Sequence, residues 1–163
     1  MRTKHLVAIL VLLALAVPAT PAHAGGVVSV CDEAHLRAAL AGGGTVTFTC
    51  SGTITLTAEI TIAADTTIDG TGQAVTISGN NAVRVLAVNS GVRLNVDGLT
   101  VANGYVSDIV SNGGGIDNHG TLTISNSIFS GNSAYNGGGI FNYGTLTVRN
   151  STFSGTRYKQ PAP

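Results

Sequence analysis

Residues 113–131 return almost unchanged as residues 137–155. The first copy reads Gly113-Gly-Gly-Ile-Asp-Asn-His-Gly-Thr-Leu-Thr-Ile-Ser-Asn-Ser-Ile-Phe-Ser-Gly131. The second reads Gly137-Gly-Gly-Ile-Phe-Asn-Tyr-Gly-Thr-Leu-Thr-Val-Arg-Asn-Ser-Thr-Phe-Ser-Gly155. Gly115, Ile116, Asn118, Gly120, Leu122, Asn126, Phe129 and Gly131 recur as Gly139, Ile140, Asn142, Gly144, Leu146, Asn150, Phe153 and Gly155. A period in the twenties, built from β-favouring residues and Gly/Asn turns, predicts a solenoid whose coils stack on one another. Weaker copies lie upstream. Ile68-Asp69-Gly70, Val96-Asp97-Gly98, Ile124-Ser125-Asn126 and Val148-Arg149-Asn150 mark coils of drifting length.

Stacking sets the expected role of each repeated residue. Equivalent positions in neighbouring coils lie ~4.8 Å apart. Leu122 is expected beside Leu146, Ile124 beside Val148 and Phe129 beside Phe153, as apolar columns inside. Asn118 with Asn142, and Asn126 with Asn150, are expected as internal amide ladders. Asn132 is expected at a looser turn. Gly115, Gly120, Gly139 and Gly144 are expected to supply backbone angles that a Cβ forbids.

The N-terminus reads as an export signal. Arg2, Lys4 and His5 precede an apolar run from Leu6 to Val17, and Ala22-His23-Ala24 gives a small-x-small cleavage site before Gly25. The run is short against the ~20 residues of a spanning helix, so a signal is favoured over an anchor. Removing residues 1–24 takes away two of eight Lys/Arg and none of eight Asp/Glu, leaving 6 − 8 = −2. No basic patch for nucleic acid survives. Secretion or cell-surface display is expected, with no transmembrane segment in the mature chain.

In an oxidising compartment Cys31 and Cys50 read as a disulfide. It contributes ~3 kcal/mol on the loop-entropy account. Two cysteines alone do not make a tetrahedral metal site. Residues 25–44 differ from the rest and form the expected N-terminal cap. Val27–Val30 is a short strand candidate. Asp32 can cap a helix over Glu33–Ala41, on which Leu36, Ala39 and Leu40 share one face, and Gly42-Gly43-Gly44 ends it. One amphipathic helix suits the task of covering a solenoid's first coil; packing elsewhere is the alternative. Residues 45–155 are the expected coils, from Thr45–Cys50 to Thr152–Phe153, and residues 156–163 an irregular tail.

At these residues the chain resembles the right-handed parallel β-helix proteins of bacterial surfaces. Gly-Gly-Gly-Ile (113–116 and 137–140) and Phe-Ser-Gly-Asn (129–132) resemble the signatures of the chlamydial polymorphic outer-membrane protein repeat. Ile68-Asp69-Gly70 and the stretch from Gly98 to Gly104 resemble coils of the wider pectate-lyase-like group. The resemblance implies an all-β solenoid and a surface-display or adhesin-like role, with an unidentified glycan or protein as ligand. The second Phe-x-x-Asn is broken at Thr156, and the repeat stops at Arg157, so a truncated member is expected, prone to end-to-end self-association through its flat last coil.

The same resemblance brings in polysaccharide lyases and hydrolases. A glycosidase needs two carboxylates facing each other across the bond. Asp69 and Asp97 hold equivalent coil positions, but each precedes Gly, where Asp is common for turn hydrogen bonds alone. The turn reading is favoured. Arg84 and Arg93 are noted as bases for a lyase, with no third carboxylate joining them. Asp117 and His119 read as solvent-facing loop residues, because their repeat counterparts are Phe141 and Tyr143. Thr121, Thr123, Thr145 and Thr147 are too few rungs to argue a threonine array and suit a strand anyway. No motif asks for a cofactor. The expectation is a binding protein without catalysis, with a polysaccharide-active enzyme or its remnant as the alternative.

Overall fold

A computed structural model describes residues 25–108 and 112–158. The expected signal, with Ala24, and residues 159–163 of the expected tail lie outside the described residues. The chain opens with strand β1 (Gly26–Val28) and helix α1 (Glu33–Leu40). Rounds of short strands follow. The first comprises β2 (Gly44–Phe48), β3 (Gly52–Thr55) and β4 (Ile60–Ile62). The second is β5 (Thr66–Asp69), β6 (Val75–Ser78) and β7 (Leu86–Val88). The third is β8 (Arg93–Asp97), β9 (Thr100–Ala102) and β10 (Ile116–Asn118). The fourth is β11 (Thr121–Ser125), β12 (Ile128–Ser130), β13 (Ser133–Ala134) and β14 (Ile140–Asn142). The last is β15 (Thr145–Arg149), β16 (Thr152–Ser154) and β17 (Arg157–Tyr158).

Every pairing is parallel. The first sheet runs β1-β2-β5-β8-β11-β15, the second β3-β6-β9-β12-β16, the third β4-β7-β10-β14, and β13 pairs with β17 in a fourth. The molecule is a parallel β-solenoid of about five turns. Parallel neighbours need a crossover between them, and here the rest of each turn is that crossover. Alternation along each strand puts Val46, Ile68, Val96 and Ile124 inside and their neighbours outside. Ile68 pairs with Val96, Val96 with Ile124, and Ile124 with Val148, the residues that marked the drifting repeat. Phe129 is fully buried, and its ring stacks on that of Phe153 with centroids 4.8 Å apart.

The N-terminal segment forms a short helix of residues 33–40, one residue shorter than expected. Asp32 accepts a hydrogen bond from the His35 backbone N–H at 2.8 Å. That bond and the His35 ring hold the Asp32 carboxyl below its usual value. Leu36 and Leu40 are buried in the same core as the strands, with α1 against β1, β2 and β3. Cys31 and Cys50 are disulfide-bonded, their Cα atoms 5.7 Å apart. No described helix is long and apolar enough to cross a membrane.

Several expected roles change. Asn126 and Asn150 form no internal ladder. Both are exposed and take the left-handed conformation, with φ of 49° and 48°, and Asn126 donates to Asp97 at 2.8 Å. They stand at the corner after β11 and β15, where the preceding turn places Gly98 at φ 66°. Asparagine is tolerated there because its short polar side chain suits that backbone. The other pair does bond as a ladder: Asn118 Nδ2 donates to Asn142 Oδ1 at 2.6 Å. Asn132 lies at no loose turn but is fully buried. It accepts from the Gly104 N–H at 2.8 Å and donates to the Val101 carbonyl at 3.0 Å. Gly120 and Gly144 are not in the left-handed region; a Cβ there would stand 2.2 Å from the Val92 carbonyl oxygen and 1.9 Å from that of Gly120. Close approach of adjacent turns, not dihedral freedom, requires glycine at both. Gly115 and Gly139 likewise avoid positive φ. The tail is irregular for less of its length than expected, since Arg157–Tyr158 pairs with Ser133–Ala134. Backbone pairing in register with the turn below needs no apolar alternation.

Candidate binding face

The third sheet presents Thr61, Ala87, Asp117 and Phe141 in one outward row. Around that row the fold gathers charges from three turns. Glu59 precedes β4, Arg84 precedes β7, and Asp117 is the middle residue of β10. The Arg84 guanidinium pairs with Glu59 and stands 3.6 Å from Asp117 Oδ2. Its Nε donates to the carbonyls of Asn112 and Gly113, both at 3.0 Å. The planar fork of arginine suits this set of partners better than a lysine ammonium would. The Arg84 and Asp117 side chains are only 15% and 14% exposed, so this pairing is shielded from water.

Next in the row comes an aromatic shelf. His119 Nε2 approaches Asp117 Oδ1 at 3.3 Å, and that buried oxygen completes no hydrogen bond. The His119 ring stacks on Tyr143 with centroids 5.3 Å apart, and Tyr143 meets Phe141 edge-on at 5.0 Å. Tyr143 is 71% exposed. Beyond Glu59 and Arg84 the same face opens into a hollow of about 450 Å³ lined also by Thr57, Val83, Tyr105 and Val106.

The sequence reading of Asp117 as a solvent-facing loop residue is therefore corrected, whereas His119 is an exposed residue just past β10, as expected. Asp117 is a strand residue, mostly buried and facing Arg84, because β10 pairs with β7. Arg84 does meet two carboxylates. Arg93 lies elsewhere, on the first sheet, its backbone N–H donating to Asp65 at 2.8 Å. Nothing in the repeat revealed this cluster. Ile60 sits beside Leu86 and Leu86 beside Ile116, an uneven spacing that a 24-residue ruler cannot find. The one available signal was the chemical mismatch of Asp117 and His119 with Phe141 and Tyr143.

Asp69 and Asp97 do stand side by side in the first sheet. Each serves its own corner. Asp69 accepts from the Thr71 backbone N–H at 2.9 Å and hydroxyl at 2.6 Å, while Asp97 accepts from Asn126. Among the described residues, no three His, Cys, Asp or Glu side chains gather as a metal site requires. The repeated residues Gly115, Ile116, Gly120, Leu122, Phe129, Gly139, Ile140, Gly144, Leu146 and Phe153 line or support the interior rather than this face. Compared with known proteins, the chain matches no family model and no curated protein sequence.

Proposed function

We propose that this chain is an exported, non-catalytic parallel β-helix that binds a glycan at a cell surface, in the manner of an adhesin. The observation that carries the reading is the exposed stack of Tyr143 on His119, held beside the shielded Glu59–Arg84–Asp117 row. An amphipathic ring offers a large apolar area at little entropic cost, with a polar edge for hydroxyl groups. The ion row keeps the platform in place, because both carboxylates are anchored by one arginine. The turns are right-handed in this reading, the sense that parallel crossovers almost always take. The repeat motifs resemble the chlamydial outer-membrane protein repeat, and the first 24 residues resemble a secretory signal. Helix α1 serves as the cap of the first turn, supported by burial of Leu36 and Leu40.

The test is a screen of the purified chain against surface polysaccharides and their oligosaccharides, repeated with Tyr143→Ala. Binding that the substitution removes, with the circular-dichroism spectrum unchanged, supports the reading. Absence of binding to every glycan, or binding indifferent to Tyr143, overturns it. One observation favours the enzymatic alternative: His119 beside a buried carboxylate is an arrangement a general base can use. Turnover of a bound glycan, lost in His119→Asn, would establish that alternative.

A further inference from the structure

The face of the third sheet carries two features that one sugar ring does not cover together. One is the shelf of His119, Phe141 and Tyr143, from the third and fourth turns. The other is the hollow of about 450 Å³ beyond the ion row, whose walls include Ala58 and Glu59 of the first turn, Ala82 and Arg84 of the second, and Val106 of the third. Glu59 and Tyr143 are three turns apart, ~14 Å at the ~4.8 Å spacing of neighbouring strands. Between them the outward row is low, because Ala87 puts only a methyl group between Thr61 and Asp117.

Resting on the reading of this face as a glycan site, we infer that its ligand is an uncharged oligosaccharide of several rings, lying along the solenoid axis with one end on the shelf and the other in the hollow. The charges beside this track are closed on one another. Every nitrogen of the Arg84 guanidinium has a partner: Nε the carbonyls of Asn112 and Gly113, Nη1 Glu59 and Nη2 Asp117. Arg37, behind Ala58 and Glu59, is held by Glu33 through Nε and Nη2 and gives Nη1 to the Glu59 carbonyl. Three carboxylates, Glu33, Glu59 and Asp117, thus stand against two guanidinium groups, 2 − 3 = −1 with His119 neutral. A sugar carboxylate or sulfate meets net negative charge and no open guanidinium among the described residues of this face. Uncharged hydroxyl groups have no such penalty, and they donate to the Glu59 carboxylate, which is 34% exposed. The apolar faces of the rings lie on Tyr143 at one end and against Val106 and Ala82 at the other. A monosaccharide reaches only one of these ends, whereas a chain of rings gains both contacts for a single loss of translational freedom.

Calorimetric titration of the purified chain tests this, with gluco-, galacto- and manno-oligosaccharides set against glucuronate, galacturonate and mannuronate oligomers of the same lengths. Affinity for a neutral series is expected to rise about tenfold or more from the disaccharide to the longest oligomer, as one added apolar contact provides, and to stay constant with salt. The matching uronate should bind about tenfold more weakly at low salt, and the gap should narrow as salt screens the charge. Ala82→Leu, which fills the hollow from an exposed wall, should remove the gain with length. No binding by any of these oligomers, or binding that survives Tyr143→Ala, overturns the glycan reading and the inference together. Binding that needs Tyr143 but favours uronates, stops gaining at the disaccharide or ignores Ala82→Leu overturns the inference and leaves the glycan reading standing. The length and charge series use the unsubstituted chain, so they decide the matter even where a variant fails to fold.

Discussion

The first and last turns are built from the same parts, short parallel strands around an apolar column, yet their apolar residues differ in exposure. Val28, Val46 and Leu36 have essentially no exposure near α1, while Val148 and Phe153 keep nearly half their surface in water. Phe129 and Phe153 make the contrast within one repeat. They are equivalent by sequence and stacked by geometry, but among the described residues one has a turn on each side and the other a turn on one side only. A repeated residue thus has a repeated position and not a repeated environment. In a solenoid, stability is a sum over neighbouring turns, so a terminal turn lacks one of the two interfaces that an internal one has.

The largest test of that contrast is truncation of the two rings. Phe129→Ala should cost ~3–5 kcal/mol, as for a fully buried aromatic. Phe153→Ala should cost about 1–2 kcal/mol, since much of the ring is already hydrated. Equal losses in chemical denaturation would show that the last turn is as well covered as the internal ones. Next in size is the disulfide beside α1. Cys31→Ser should lose ~2–5 kcal/mol, and hydrogen exchange should rise first in α1 and β2. Loss spread evenly to β15 would mean that the disulfide governs the whole solenoid rather than its first turn.

Smaller effects separate buried from exposed asparagines. Asn132→Leu leaves the buried Gly104 N–H without its partner, at ~1–3 kcal/mol. Asn126→Leu removes a solvent-exposed bond and a left-handed preference, and should cost less, ~1–2 kcal/mol. A reversed order in denaturant midpoints would contradict this assignment. The smallest effect is on pH dependence at α1. Burial alone would raise the Glu33 carboxyl, but hydrogen bonds from Arg37 and Thr57 hold it below the usual carboxylate value. A lowered folded-state value means its contribution is complete above the unfolded value near ~4.3 and fades as pH falls through the folded value. The difference in Tm between the chain and Glu33→Gln should therefore narrow on acidification below about pH 4. A constant difference would assign Glu33 a purely steric role.

Much of this architecture was legible in the residues. The Ile68, Val96, Ile124 and Val148 markers aligned the first sheet in advance, because alternation with a fixed corner leaves one register that buries every apolar residue. The helix start at Asp32, the disulfide and the Phe129–Phe153 column were legible for similar local reasons. The asparagines were not, because a repeated Asn has the same sequence signature whether it tiles the interior or turns a corner. Asn118 falls at the last residue of a strand whose burial pattern puts it inside. Asn126 falls one residue past a strand end, where the chain must take positive φ.

The sequence by itself determined a stack of parallel turns, since only such a stack lets short, alternating strands and Gly/Asn corners bury their apolar residues together. Tertiary structure alone decided the face on which Arg84 meets Glu59 and Asp117. Those residues come from three turns of unequal length, and lateral neighbours in a solenoid are fixed by the register between turns. No local pattern encodes that register when loops of different size intervene. The same physics decided the ends: each strand carries the hydrogen-bonding groups for two neighbours, and only the folded chain shows which strands have found both.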